Sequence, residues 1–312
     1  MMNPKRILVI KLGALGDFIQ ASGPFMAIRL YHKTENITLL TTTEFADFAE
    51  ASPWFDQVKI DNKPKFTQIS KWLTLRKWFR SAGFTRIYDL QTSDRSNFYY
   101  KMLKPINKLN PEPDWSGIAP GCSHLHNNLD RNLMHTIERQ KEQLNIAGIK
   151  DIPAVDFSWI STDIKKFGLN DTYALLVPGG ASHRPEKRWP DQYYGELIEY
   201  FALKNTQVIL IGGKEEESLL YDLAKPHSNC VSLAGATTLF DLFSLARKSQ
   251  VAVGNDTGPM HIAAASGCRT IVLYALDSDP ALCAQRGDCV KIFRKNKLSD
   301  IMPSQIIESL TK

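Results

Sequence analysis

A chain of 312 residues exceeds the usual length of one domain, and its 43% hydrophobic and 23% charged residues are ordinary globular usage. Long disordered tracts are thereby excluded, and two α/β domains of about 150 residues each are expected. The net charge of +5 is modest and comes with no nucleic-acid motif, so nucleic acid is set aside as a partner.

Taken in chain order, Arg6-Ile7-Leu8-Val9-Ile10-Lys11 reads as a short buried strand, followed by the glycine turn Gly13-Ala14-Leu15-Gly16-Asp17 and a helix-periodic stretch to about Tyr31. A strand at Ile37 to Thr42, a helix at Glu44 to Ala51 and strands at Val58 to Ile60 and Arg86 to Leu90 continue the alternation, which implies a parallel sheet. Between the last two strands, Lys63, Lys65, Lys71, Arg76, Lys77 and Arg80 face only Asp61, with Trp72 and Trp78 interleaved at near-helical separation. The plainer reading is a solvated helix whose tryptophans face the core. The sharper one is a dock for an anionic acceptor or a membrane surface. From about Asn107 to His126 the chain is rich in Pro, Gly, Asn and Ser, and a long loop is expected there.

A linker near Ser158 to Lys166 divides the chain into expected domains 1–160 and 161–312. The first part carries 21 Lys and Arg against 16 Asp and Glu and the second 17 against 17, so all the basic excess lies in the first. A fresh alternation then opens with strand Tyr173 to Val177, loop Pro178-Gly179-Gly180, helix Asp191 to Leu203 and strand Val208 to Ile211. It runs on through Val231 to Leu233, a helix near Thr238 to Lys248, strand Val251 to Val253, helix Pro259 to Ser266 and strand Thr270 to Leu273. The expected class is therefore α/β, with two Rossmann-like doubly wound domains. A final helix, Ser304 to Leu310, could pack back on the first domain. The apolar runs are all far shorter than the roughly 20 residues that span a bilayer, and no long apolar leader opens the chain, so a cytoplasmic location is expected. The five cysteines form an odd set without CxxC spacing, which reads as reduced thiols rather than a disulfide framework or a zinc site.

The most specific stretch is Gly254-Asn255-Asp256-Thr257-Gly258-Pro259-Met260-His261, which places glycine, carboxylate, hydroxyl and imidazole between a buried strand and a helix start. Thr257 and Gly258 would offer unpaired amides at a helix N-terminus, where a diphosphate is favoured, and Pro259 suits the first helical position. Simple helix capping by Asp256 or Thr257 is the alternative. The loop Gly179 to Trp189 ends a strand at the carboxyl edge, where ligands of open α/β sheets bind. There Ser182 and Lys187 could reach phosphate, Arg184 and Arg188 are equal candidates by chemistry alone, and a solvated basic turn is the plain alternative. After the next strand, Gly212-Gly213-Lys214-Glu215 places a carboxylate where ribose hydroxyls could donate to it.

Lys11 to Asp17 with Pro24, the Pro-Gly-Gly loop through Lys187-Arg188-Trp189-Pro190, and Asp256 to His261 together resemble the ADP-heptose:lipopolysaccharide heptosyltransferases of glycosyltransferase family 9. The resemblance covers almost the whole chain, most clearly its first 30 residues and about 172 to 280. It implies a GT-B fold with the two domains facing a central cleft, an inverting transfer, and neither metal nor other cofactor. It further implies that Asp17 is the general base and Lys187 the partner of the donor phosphate, assisted by Ser182. Glu215 would meet the ribose, Asp256 the donor sugar, Thr257 and Gly258 the diphosphate, with Gly16 also binding the donor and His261 as a support. The implied partners are a nucleotide-diphosphate sugar donor and an anionic glycolipid acceptor; peripheral contact at the cytoplasmic face of the inner membrane is an expectation that rests on the basic, tryptophan-bearing segment 61–80. One departure stands out: the family's aromatic-Gly-Pro-Thr-Asp-Pro run is here Tyr274-Ala275-Leu276-Asp277-Ser278-Asp279-Pro280, so recognition of the base or sugar could differ.

Two other readings compete. A nicotinamide-dependent dehydrogenase is opposed by Gly13-Ala14-Leu15-Gly16, which lacks the GxGxxG triplet, and by Asp17, which would put a carboxylate close to a pyrophosphate. A sugar-nucleotide-binding protein without turnover is opposed by the presence of both Asp17 and Lys187.

Overall fold

The computed structural model describes residues 5–104, 112–180 and 188–311, and the chain divides into two compact units, Met1–Val155 and Asp156–Lys312. The first is built from β1 (Arg6–Ile10), α1 (Leu15–Gln20), α2 (Ser22–Tyr31), β2 (Asn36–Thr41), α3 (Thr43–Ala51), β3 (Gln57–Ile60), α4 (Ile69–Ser81), β4 (Phe84–Asp89), α5 (Asp94–Leu103), β5 (Asp114–Gly117), β6 (His124–Leu125) and α6 (Thr136–Ile146). Its six strands are all parallel, in the order β3-β2-β1-β4-β5-β6. Helices on both faces explain why β1 and β2 are buried at successive residues rather than at alternate ones. The expected long loop after Asn107 contains two short strands, β5 and β6. Asp-Trp-Ser-Gly and His-Leu are too short and polar to signal a strand, and they are recruited by pairing with β4 and with each other. Residues 105–111 of that loop lie outside the described residues.

The second unit comprises β7 (Tyr173–Val177), α7 (Asp191–Leu203), β8 (Gln207–Leu210), α8 (Glu217–Ala224), β9 (Cys230–Ser232), α9 (Leu239–Lys248), β10 (Ala252–Asn255), α10 (Gly258–Ala265), β11 (Thr270–Tyr274), α11 (Pro280–Cys283), β12 (Val290–Arg294) and α12 (Pro303–Thr311). Its sheet runs β12-β11-β10-β7-β8-β9, again all parallel. Counted from the first strand of each unit, both sheets have the Rossmann order 3-2-1-4-5-6. Each thus reverses winding direction once, between β1 and β4 in the first and between β7 and β10 in the second. Ligands of such sheets bind at the carboxyl ends of the two strands flanking the reversal.

The core of the second unit gathers Leu176, Trp189, Tyr194, Leu197, Ile198, Val208, Val253, Ile271 and Ile306. The last of these lies on α12, which packs against α7 of its own unit. Part of its apolar face is buried there. Close packing leaves no room for a side chain at Gly254 on β10, where a Cβ would stand 2.6 Å from Val177 Cβ and 2.8 Å from Met260 Sδ. Only glycine lets β7, β10 and α10 approach this closely. We expect Gly254→Ala to lower stability by about 1–3 kcal/mol, as overpacking does; an unchanged urea midpoint would show that the strands can separate at no cost.

Candidate functional site

In the first unit the chain leaves β1 through Lys11 and Leu12 and turns at Gly13, whose φ of +112° favours glycine and where a Cβ would stand 2.9 Å from the Phe45 ring. The turn delivers Gly16 and Asp17 into α1, both partly exposed, with Asp17 in the first helical turn. The opposite side of the reversal is tied to it. Leu12 N donates to Gln91 Oε1 at 2.7 Å, and Lys11 Nζ donates to Leu90 O at 3.1 Å. Lys11 is buried, and burial depresses its pKa, aided by Arg139 and Arg131 and opposed by the Asp17 and Asp89 carboxylates.

Asp89, at the end of β4, is fully buried. Burial raises its carboxyl pKa to about 6, against hydrogen bonds from Thr92 and Ser96 and the Lys11 charge, which lower it. Its Oδ1 accepts from Gln91 N at 3.1 Å and Thr92 N at 2.9 Å. Thr92 is thereby held at φ 45°, a region that a β-branched residue enters only under constraint. Arg131 Nη2 donates to the Thr92 hydroxyl at 2.7 Å and Arg131 Nε to His126 Nδ1 at 3.3 Å. Arg139 lies near enough to lower the Arg131 pKa, though burial is the larger cause. One end of the first sheet thus collects a part-exposed carboxylate, a buried ammonium, a buried carboxyl and two guanidinium groups. Arg131 and Arg139 were not legible as site residues, because nothing local to them carries a motif.

In the second unit the site is organised by Asn255, fully buried at the end of β10. Its Nδ2 donates to Pro178 O at 2.7 Å and Gly179 O at 3.1 Å, and its Oδ1 accepts from Trp189 N at 3.2 Å and the Tyr194 hydroxyl at 3.1 Å. A single amide therefore spans the reversal and fixes both ends of the Gly179 to Trp189 loop. Arg188 Nη2 reinforces it by donating to Gly180 O at 2.7 Å. Ser182, Arg184 and Lys187, all within that loop, lie outside the described residues.

Of the adjacent carboxylates after β8, Glu215 is exposed, whereas Glu216 turns toward the sheet edge. Glu216 Oε1 accepts from Gly180 N at 2.7 Å and Oε2 from Gly213 N at 2.8 Å. A carboxylate three residues after the residue that caps a helical turn has the spacing of a capping box, and that signal selects Glu216 over its neighbour. Asp256, next after Asn255, accepts from the Ser278 hydroxyl at 2.6 Å on Oδ2 and from Gln285 Nε2 at 3.0 Å on Oδ1. Gln285 Nε2 also stands 3.2 Å from Nε2 of the buried His261, while its Oε1 accepts from the Tyr274 hydroxyl at 2.8 Å. An amide nitrogen only donates, so Nε2 of His261 is the acceptor. Burial, with the Asp256 charge adding, drives the Tyr274 pKa upward. The departure at Tyr274 to Pro280 is therefore structurally engaged: Ser278 grips Asp256, and Asp279 caps α11 through Ala281 N at 3.1 Å.

Thr257 and Gly258 open α10 at the positive end of the helix dipole; Pro259 has no N–H and Met260 N donates to Thr257 O at 3.1 Å, so the Thr257 and Gly258 amides are the ones left to meet an anion. The second site thus joins loop ends fixed by hydrogen bonds, an oriented carboxylate and an anion-favouring helix start. Asp256, Thr257, Gly258 and His261 are brought together there, while Asp17 and Gly16 belong to the first unit.

Compared with known proteins, residues 72–299 match the family model for glycosyltransferase family 9 (heptosyltransferase). The chain is 39% identical to lipooligosaccharide heptosyltransferase 2 of Haemophilus ducreyi over a stretch covering 43% of this chain and 45% of that enzyme. It is 23% identical to the lipopolysaccharide core heptosyltransferase OpsX of Haemophilus influenzae, over 87% of this chain and 79% of the relative. Among solved structures it resembles Escherichia coli ADP-heptose LPS heptosyltransferase II with a TM-score of 0.79 and 20% identity, over 98% of this chain and 97% of the other. This likeness supports the GT-B fold class.

The raised Asp89 pKa has a consequence for stability. The unfolded chain releases this proton near 3.8 and the folded chain near 6, so between those values folding takes up a proton. A raised carboxyl pKa means that stability falls as pH rises through this window. We expect Asp89→Asn, which keeps the Oδ1 acceptor, to gain stability relative to the parent between about pH 4 and about pH 6. Urea denaturation at several pH values reads this directly, and a pH-independent difference between the two proteins would mean that Asp89 ionises as freely folded as unfolded.

Proposed function

The chain belongs to glycosyltransferase family 9, and from that membership we propose that it moves a heptosyl group from ADP-heptose to an anionic acceptor of the lipopolysaccharide core. The observation that carries this reading is the set held at the second reversal: Asp256 clamped by Ser278 and Gln285, beside the opening amides of α10. A nucleotide-diphosphate sugar needs an acceptor for its sugar hydroxyls and donors for its diphosphate within one short span, and both are present. Glu216, each of whose oxygens keeps a further lone pair, is the better placed of the two adjacent carboxylates to accept from ribose.

In the proposed reaction the acceptor hydroxyl oxygen attacks the anomeric carbon while Asp17 takes its proton, and the bond from that carbon to the diphosphate oxygen breaks on the opposite face. Configuration inverts in one displacement. The electron pair leaves with ADP, where the amides of Thr257 and Gly258 and the Lys187 ammonium meet the new charge. Lys187, with Ser182, lies outside the described residues and keeps the role that the resemblance implies. Because these groups are cationic or dipolar, the step requires no divalent ion. Arg131 and Arg139, near the same buried charges that face Asp17, would receive the acids of the acceptor. A lipid-anchored acceptor places the enzyme peripherally at the cytoplasmic face of the inner membrane.

Asp17→Asn tests the base. We expect nucleotide-sugar affinity to stay within about twofold of the parent and kcat to fall by about 10²- to 10⁴-fold, with near-normal turnover overturning the assignment. Transfer in excess EDTA should proceed at the parental rate; loss of activity restored by a divalent ion would refute metal independence. A thermal-shift panel of ADP-, GDP-, UDP- and CMP-linked sugars identifies the donor, because a ligand that binds only the folded chain raises its melting temperature. Selective stabilisation by ADP-heptose is expected, and stabilisation by another nucleotide sugar alone would replace the donor.

A further inference from the structure

From Asn62 to Tyr88 the sequence contains no acidic residue. Asp61, just before it, is buried and accepts the Tyr99 hydroxyl. The helix in this stretch, α4, turns Leu75 and Phe79 inward, with Trp72 and Trp78 packed partly buried on the same core. The tryptophans thus face the domain, as the plainer sequence reading held. The opposite face is unusual for solvent. Ile69, Leu73, Lys77 and Arg80 follow one another at helical spacing as a single outward stripe, with Ile69 67% and Leu73 58% exposed.

Immediately before the helix, Phe66 is 83% exposed on a segment that is well held. Trp72 Nε1 donates to Lys65 O at 3.1 Å, Lys65 N to Gln68 Oε1 at 3.0 Å, Lys63 N to Asp61 Oδ1 at 2.8 Å and Arg95 Nη2 to Pro64 O at 3.3 Å. The phenyl ring is stacked beside Trp72, with centroids 6.2 Å apart and 18° between the planes. Phe66 is therefore presented outward by fixed backbone rather than left there by a loose loop. Exposed Lys63, Lys65, Lys71, Lys77 and Arg80 belong to the same acid-free segment as Phe66, Ile69 and Leu73. Large apolar tips ringed by cations on long aliphatic stems are complementary to an anionic lipid headgroup layer, in which the tips enter and the stems snorkel. A protein partner would more often be met by mixed charge.

The place of this surface in the fold matters as well. The Phe66 segment follows the carboxyl end of β3, so it lies at the same edge of the parallel sheet as Asp17 after β1 and Thr92 after β4. We propose that Phe66, Ile69 and Leu73, flanked by Lys63, Lys65, Lys77 and Arg80, form the contact through which the first domain seats on an anionic bilayer, with its Asp17 edge toward an acceptor anchored there. The seating itself stands on this surface, and only its orientation toward the acceptor rests on the proposed transferase reading.

Sedimentation of the full chain with phosphatidylcholine vesicles, with and without one-quarter phosphatidylglycerol, tests it. Binding to the anionic vesicles at low salt is expected. The triple variant Phe66→Ser, Ile69→Ser, Leu73→Ser should bind at least about tenfold more weakly, and Lys77→Glu with Arg80→Glu should remove the salt-sensitive share. Thermal melts of each variant verify folding. Transfer to a water-soluble acceptor fragment should be unaffected in the triple variant, whereas transfer to vesicle-embedded acceptor should fall. Absence of binding by the parent, or equal binding by parent and triple variant, overturns the proposal whatever the activity. Absence of transfer by the parent with vesicle binding intact would instead count against the transferase reading.

Discussion

One buried side-chain amide organises the second domain. Asn255 sits where the winding of the sheet reverses, and all its hydrogen-bonding groups are committed: two to carbonyls after β7, two to the Trp189 amide and the Tyr194 hydroxyl. A buried amide left partly unpaired is costly, so the two chain ends it holds, at Pro178-Gly179 and at Trp189, are fixed relative to each other. Glu216 repeats the device with a carboxylate, joining the loops after β7 and β8. The surfaces that a diphosphate sugar would touch are therefore preorganised by contacts that need not touch it themselves.

The first domain solves the same topological problem with charge. Lys11 and Leu12 at the end of β1 are joined to Leu90 and Gln91 beyond β4, the equivalent reversal, and Asp89 lies buried between them and a strained Thr92. Burial pushes Lys11 toward neutrality and Asp89 toward its protonated form, and their mutual attraction opposes both tendencies. The partly exposed Asp17 stands beside this compensated pair, in a field set by groups that do not themselves face solvent.

Much of this was legible before any coordinates. The run from Gly254 to His261 announces itself because its functional residues are contiguous between a buried strand and a helix start, so local chemistry and local structure coincide. The long buried strands were equally clear, since β1 after Arg6 and the whole of β7 are apolar. What escaped were residues whose roles depend on distant partners. Gln285 serves Asp256 and His261 from 29 and 24 positions away, and Arg131 reaches Thr92 from 39 positions away, distances over which no periodicity speaks. The short strands β5 and β6 escaped because a strand of two to four residues is defined by its neighbour rather than by its own composition. The outward stripe of α4 was masked by its tryptophans, which drew the eye to the face that turned out to be inward.

Among the described residues each sheet draws all its strands from its own unit. For a chain made from its N-terminus onward, the first sheet has all its strands once His124 and Leu125 have emerged, well before β7 exists, so it can mature while the remainder is still being translated. The second unit has no such liberty. Its core is closed by Ile301 and Ile306, and the Trp189 indole donates to Ile301 O at 2.8 Å, so the Asn255 loop next to Trp189 gains its final support only when this last segment arrives. Synthesis thus assembles the end bearing Asp17 early and leaves the end bearing Asp256 unfinished until α12 docks.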